Sequence, residues 1–270
     1  MSVILRTDNF SVFLESDAMF VITGGGQGIG KALAHALAGR CQPVLIIGRH
    51  EQTLAETASS SPFIRYLQAD VSKPAGRKQI VEYLQDVTAI SGLVHNAATI
   101  DPILPILDID EAAWHQCIAT NIDAPFFLNQ SLHDKLINGR VLNIGTAAAY
   151  FPVVGWTAYC VSKAALSMLT RCWQLESTQI SFASVMPGII DTEMQAKIRH
   201  AEHMAPEKSD FFTQLKQDNR LVSPATVAAF ICWLLLDIDK ALYVSKEWDI
   251  YDDTHHFAWL LPPHEVPAVE

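Results

Sequence analysis

The sequence predicts an α/β protein built as a single doubly wound domain, with a mostly parallel, seven-stranded sheet and helices on both faces. Three observations predict it. Short apolar runs alternate with stretches of helical apolar spacing along the whole chain. The first run, Met19-Phe20-Val21-Ile22-Thr23, breaks into Gly24-Gly25-Gly26-Gln27-Gly28-Ile29-Gly30 and then into a helical pattern from Lys31 to Leu37 that stops at Gly39. The length, 270 residues with 50% hydrophobic and 18% charged, suits one large domain and is short for two.

Composition removes several partners. A formal net charge of −10 argues against nucleic acid and against an anionic membrane surface. No apolar run approaches the roughly 18–20 residues of a spanning helix. The five cysteines, Cys41, Cys117, Cys160, Cys172 and Cys232, form no C-x-x-C pair, as expected of reduced thiols in a cytoplasmic protein. Residues 1–18 carry Arg6, Asp8, Glu15 and Asp17 among their apolar residues, which spoils a signal-peptide core. They read as an N-terminal extension to the domain at 19–270, either an added edge strand or an upstream start.

The glycine turn between strand and helix is a phosphate-binding arrangement. Glycines let the backbone turn sharply and approach a pyrophosphate, and the helix N-terminus offers free N–H donors with a favourable dipole. No register of these glycines satisfies G-x-G-x-x-G. A P-loop reading has Gly25, Gly30 and Lys31 but meets Ala32 where the metal-binding hydroxyl belongs.

The second strand, Val44–Ile47, ends in Gly48-Arg49, and no carboxylate follows until Glu51. An acidic residue here would hold a ribose 2′-hydroxyl, whereas an arginine accommodates a 2′-phosphate, so the charge favours NADP(H) over NAD(H). A solvated arginine at a helix start is the alternative. A helix over Glu51–Ala58 and a strand over Phe63–Gln68 lead to Asp70-Val71, where Asp70 is also placed to cap a helix starting near Pro74. Gly92–His95 is the fourth strand and runs into Asn96-Ala97-Ala98. From Asp110 to His133 the spacing is helical and turns Asn121 inward beside Ile118, Ile122 and Phe126; that amide is either satisfied by backbone or kept for a function.

Val141–Ile144 is the fifth strand, followed by Gly145-Thr146. The long helix Ala158–Glu176 carries Tyr159 and Lys163, which sit four apart and share one face. A neighbouring ammonium favours the phenolate, bringing a group that titrates at about pH 10 toward the range of acid–base catalysis. Thr146 can present its hydroxyl to the same spot. After a sixth strand, Ile180–Val185, Pro187-Gly188 forces a turn. The polar stretch within about 192–222 is placed for a substrate lid. Pro224–Leu235 reads as a helix and Leu242-Tyr243-Val244 as the seventh strand. His255-His256 has no Cys or carboxylate cluster at ligand spacing, so no metal is expected, and Cys160 reads as a packed thiol.

The spacing Thr23-Gly24-x-x-x-Gly28-x-Gly30, with Asn96-Ala97-Ala98, Thr146 and Tyr159-x-x-x-Lys163, resembles the short-chain dehydrogenases/reductases from about Met19 to Leu236. The resemblance implies a Rossmann-type fold and an NADP(H)-dependent carbonyl reductase acting on a small molecule. It also implies a homo-oligomer, a dimer or tetramer. It assigns the cofactor to Gly24, Gln27, Gly28, Ile29, Gly30, Arg49, Asp70, Val71, Asn96, Ala97, Tyr159, Lys163, Pro187, Gly188, Ile190 and Thr192. Tyr159 becomes the proton donor, Thr146 the partner of the carbonyl oxygen in place of the usual serine, Lys163 the modulator of the tyrosine and Asn121 a proton relay. Two later segments, Pro187–Gln195 and Trp248–Asp252, are similar to those of sepiapterin reductases and microbial benzil reductases. That likeness implies a pterin-like ketone or 1,2-dicarbonyl as substrate, met by Trp156, Met194 and Asp249, although Asp249 is equally placed to cap a turn. The rival expectations are an NAD-dependent alcohol dehydrogenase of the same fold and a nucleotide-sensing regulator without turnover.

Overall fold

In the computed structural model, residues 18–268 are described. Seven parallel strands form one sheet: β1 (Ala18–Thr23), β2 (Val44–Gly48), β3 (Ile64–Gln68), β4 (Ala89–His95), β5 (Arg140–Ile144), β6 (Ser181–Met186) and β7 (Trp248–Asp249). Their order is β3-β2-β1-β4-β5-β6-β7. The order reverses between β1 and β4, and in open α/β sheets the crevice beyond the strand C-termini at such a reversal is where ligands bind. The helices are α1 (Gly28–Gly39), α2 (Glu51–Ala58), α3 (Pro74–Tyr83), α4 (Glu111–Ile118), α5 (Ala124–Ser131), α6 (His133–Leu136), α7 (Thr157–Glu176), α8 (Glu193–Arg199), α9 (Pro206–Gln217), α10 (Pro224–Leu236), α11 (Lys240–Tyr243) and α12 (His256–Trp259).

The apolar strands are continuous because both faces are covered. In β1, Phe20 and Ile22 join Leu33 and Leu37 of α1 and Phe230 of α10 in one core. Met19 and Val21, alternate in sequence, join Ile80 of α3, Leu128 of α5 and Phe182 of β6 in the other. Residues 1–17 of the expected extension lie outside the described residues, and Ala18 opens β1.

Two elements differ from expectation. Leu242 and Tyr243 belong to the helical turn α11, capped by the Asp239 carboxylate accepting from Leu242 N at 2.8 Å, and Val244 follows it. Tyr243 is fully buried, donates from its hydroxyl to the Val141 carbonyl at 2.9 Å and lies under the Arg140 guanidinium. The side chain is thus claimed by β5, and the seventh strand falls instead at Trp248-Asp249, beside Val185 and Met186. The helix expected over 110–133 is interrupted by a π turn at Ala119–Asp123. Pro125 has no N–H to give the Asn121 carbonyl, so the regular ladder cannot run through.

Candidate active site

A cavity of about 450 Å³ opens along the C-terminal ends of the strands, from the glycine turn and β2 at one end to α8 and α9 at the other. At the glycine end, positive φ at Gly24 (69°) and Gly28 (53°) shapes a turn that a side chain would strain. The turn is locked from below: Asn96 donates from Nδ2 to the carbonyls of Thr23 and Gly24 at 3.0 and 2.9 Å, and the Thr23 hydroxyl accepts from Asn96 N and Ala97 N. Gly24, Gln27, Gly28, Ile29, Asn96 and Ala97 all line the cavity. Gly30 does not. A Cβ there would stand 2.3 Å from the Gly24 carbonyl oxygen, so this glycine seats α1 under the turn. Gln27 makes no side-chain cap and the first turn of α1 holds no acid, which leaves its N–H groups and dipole available to an anion. The residues therefore fit a diphosphate.

Beyond the turn, Arg49 is exposed at the cavity wall, and no side chain among the described residues pairs with its guanidinium. Its carbonyl is fixed by Gln68 Nε2 at 2.9 Å. Asp70 and Val71 line the same end, although Asp70 also accepts from Ser72 N and Oγ through Oδ1.

At the centre stand Thr146, Tyr159 and Lys163. Thr146 caps a short 3₁₀ turn, Ala147–Ala149, accepting from Ala148 N at 3.3 Å. Lys163 is buried, with Nζ donating to the Ile144 carbonyl at 2.7 Å and 5.8 Å from the Tyr159 ring centre. Burial lowers its pKa to about 8. Burial also pushes the Tyr159 phenol above the ordinary tyrosine range, and the facing Thr146 hydroxyl pulls the other way. Lys163 Nζ is turned to the Ile144 carbonyl, and burial is the largest influence on the phenol.

Asn121 lies outside the cavity lining, in the π turn. Its Oδ1 accepts from Thr99 N at 2.9 Å, and its Nδ2 donates to the Thr99 carbonyl and Ser162 Oγ, each at 2.9 Å. Every polar atom of the amide is spent tying the loop after β4 to α7. Asp249 is also outside the lining: its Oδ1 accepts from Tyr251 N at 3.0 Å and caps a turn. The residue of that segment that serves the site is Tyr251. Its hydroxyl accepts from Ile189 N at 3.0 Å and would meet a Cβ on Gly188 (φ 81°) at 2.9 Å, so it props the Pro187–Ile190 turn against the cavity. Pro187, Gly188, Ile190 and Thr192 line that wall.

A model of the family described as "short chain dehydrogenase" matches residues 18–203. The chain belongs to the short-chain dehydrogenase family. Among relatives of this family, a benzil reductase ((S)-benzoin forming) of Bacillus cereus is 32% identical over 230 residues, covering 80% of this chain and 92% of the relative. A sepiapterin reductase of Meriones unguiculatus is 28% identical over 239 residues, covering 81% and 91%. The crystal structure of a short chain dehydrogenase/reductase from Saccharomyces cerevisiae superposes with a TM-score of 0.82 at 26% identity, over 87% of this chain and 96% of that one. As a short-chain dehydrogenase the protein is an oxidoreductase of carbonyl and alcohol groups that works with a nicotinamide cofactor.

In this short-chain dehydrogenase the cavity end away from the glycine turn is lined by residues of α8 and α9. Trp156 stacks on Phe212 at 6.0 Å and meets Tyr159 edge-on at 5.8 Å, and Met194, Gln195 and Ile198 complete the wall. Two ion pairs tie down this cover: Lys197 to Asp101 at 2.5 Å and Lys216 to Asp191 at 2.6 Å. Gln195 closes the Pro187–Gln195 segment but drew no role of its own, and Phe212 carries no motif; the spacing of Gln195 and Ile198 on α8 and of Phe212 and Leu215 on α9 is the local signal for their buried faces. Trp156 Nε1 and Gln195 Nε2 are buried without a hydrogen-bond partner among the described residues. Each such donor costs about 1–3 kcal/mol.

Among the described residues no cluster of His, Cys, Asp and Glu is placed for a metal. His255 is committed elsewhere, with Nδ1 accepting from the Trp259 indole and Nε2 bonded to the Asp249 carbonyl. No described helix is long and apolar enough to cross a membrane.

Proposed function

We propose that the protein is an NADPH-dependent carbonyl reductase whose substrate is a 1,2-dicarbonyl or a pterin-like ketone. One observation carries this reading: the Tyr159 phenol, the Thr146 hydroxyl and the Lys163 amine line one cavity with a glycine turn that fits a diphosphate. In reduction the carbonyl oxygen must receive a proton, and the phenol is a group that can give one.

When bound, the nicotinamide supplies the hydride. Thr146 donates from Oγ1 to the substrate carbonyl oxygen, and Tyr159 delivers the phenolic proton to that oxygen as negative charge develops on it. Lys163, charged below about pH 8, stabilises the resulting phenolate and holds the cofactor ribose. Asn121 acts as a positioning residue, keeping the loop after β4 in register with α7. The glycine turn with Gln27 and Ile29 holds the diphosphate. Arg49, unpaired and with no acid beside it, favours a 2′-phosphate. Asp70 and Val71 border the adenine end, and Ile190 and Thr192 the nicotinamide end.

The exposed apolar residues Phe126 and Phe127 of α5 and Val161, Met168 and Leu175 of α7 support a homo-oligomer. The five unpaired cysteines support a cytoplasmic setting. The test is a screen of diketones, pterins, quinones and keto-steroids, following the loss of reduced-nicotinamide absorbance with NADPH and with NADH side by side. Turnover of a diketone or pterin, faster with NADPH, is the expected result. No turnover on any carbonyl would sink the reading.

A further inference from the structure

Within the cavity one amide is held in a single orientation and left half used. Gln195 sits in the first turn of α8, where its backbone N–H donates to the Thr192 hydroxyl at 3.4 Å, and it is 4% exposed. Its Oε1 accepts from Arg199, one turn along the same helix. With the oxygen committed to a guanidinium, Nε2 can only be a donor, and that nitrogen has no partner among the described residues. Trp156 repeats the situation: 6% exposed, its indole N–H is also unpartnered. Both residues line the cavity, and Trp156 packs against the Tyr159 ring. The surrounding wall is apolar, formed by Ile100, Ile198 and Phe212.

Buried donors are retained without a protein acceptor where a ligand brings one. We infer that Gln195, together with Trp156, determines specificity by hydrogen-bonding a second oxygen of the substrate, on the carbon next to the reacting carbonyl. The substrate class is then a vicinal dicarbonyl with apolar flanks, its first oxygen served by Tyr159 and Thr146 and its second by Gln195 Nε2 and Trp156 Nε1. This inference rests on the carbonyl-reductase reading above and narrows it. It also replaces the expected anchor at Asp249, whose carboxylate lies outside the cavity lining and accepts from Tyr251 N.

The experiment compares benzil with deoxybenzoin, the same skeleton lacking one oxygen, on the full-length wild type and on Gln195→Glu, Gln195→Met and Trp156→Phe. The readout is the ratio of kcat/KM for the two ketones. Gln195→Glu keeps an oxygen for Arg199 but replaces the donor with an acceptor, so the benzil-to-deoxybenzoin ratio falls about tenfold or more, the scale of one hydrogen bond. Gln195→Met loses the ratio likewise, and Trp156→Phe lowers it while keeping a ring. A ratio unchanged by Gln195→Glu overturns the inference, because a residue that only braces Arg199 tolerates Glu and fails with Met. Binding is read in parallel by quenching of tryptophan fluorescence without turnover. Should the wild type reduce neither ketone, the carbonyl-reductase reading falls, and the titration alone decides the role of Gln195. Tighter binding of benzil than of deoxybenzoin, lost in Gln195→Glu, supports it, and equal binding of the two overturns it. Should Gln195→Glu not fold, the same comparison between the wild type and Trp156→Phe decides: a lowered ratio supports the inference, and an unchanged one overturns it.

Discussion

His95, at the end of β4 and just before Asn96-Ala97, makes stability depend on pH in a way that can be calculated. It is 3% exposed and bonded through Nε2 to Asn129 Oδ1 at 2.8 Å. Burial above all, and the nearby Lys163 charge, lower its pKa from 6.5 to about 4. Between those values the unfolded chain takes up a proton that the folded chain refuses, so the folded state loses ground as the pH falls. The contribution is fully present above about pH 6.5; about 2 kcal/mol is lost at pH 5 and about 3 kcal/mol by pH 4. That is a large share of the roughly 5–15 kcal/mol that holds a typical domain together. Urea unfolding of the wild type and of His95→Gln between pH 7.5 and 5 isolates it, because the carboxylates titrate alike in both. The variant is less stable at pH 7.5, having lost a packed ring, but its stability falls by about 2 kcal/mol less on acidification. Parallel pH profiles for the two proteins would refute the argument.

Tyr159→Phe keeps the ring against Trp156 and removes the proton. Its turnover falls about 10²–10⁴-fold while NADPH affinity, measured by fluorescence titration, stays within a few-fold. Arg49→Ala weakens NADPH by a charge-assisted hydrogen bond, about 1.5–3 kcal/mol, and leaves NADH nearly unchanged; equal losses in Kd would remove Arg49 from cofactor choice. The kcat/KM profile falls on the alkaline side near pH 8 as Lys163 loses its proton, and a flat profile to pH 9.5 would show that its charge is not used. Tyr251→Phe removes the acceptor of Ile189 N and raises KM for the cofactor, whereas Asp249→Asn leaves KM for every ketone unchanged and lowers the Tm by a few degrees at most.

What could be read from the sequence was what is encoded over short distances. The turn from Gly24 to Gly30 and the pair Tyr159 and Lys163 are local: a strand end, a helix start and a four-residue spacing place them whatever surrounds them. The two-sided apolar strands gave the sheet for the same reason. Features decided by distant partners were not legible. Tyr243 looks like a strand residue until the Val141 carbonyl and Arg140 claim it. Asp249 looks like a pocket carboxylate until the neighbouring turn uses it. The orphaned nitrogen of Gln195 exists only because Arg199 takes the oxygen. Likewise, the state of Tyr159 depends on how deeply Lys163 and the phenol are buried, which no spacing reports. Pro125 is the exception, a local signal that marks the break in the 110–133 helix.

The cover over the substrate end is fastened differently from the rest of the molecule. Asp101, Lys197, Asp191 and Lys216 remain about half exposed, so their two pairs are worth at most about 1 kcal/mol each and are attenuated over a Debye length of about 8 Å at physiological ionic strength. The glycine turn, by contrast, is fastened by neutral bonds of Asn96 Nδ2 and the Thr23 hydroxyl to backbone groups, which salt hardly reaches. Raising ionic strength therefore weakens the two pairs of the cover and spares the bonds of the glycine turn. Once salt has screened those pairs, α8 and α9 are held chiefly by the apolar cluster of Trp156, Ile198, Phe212 and Leu215.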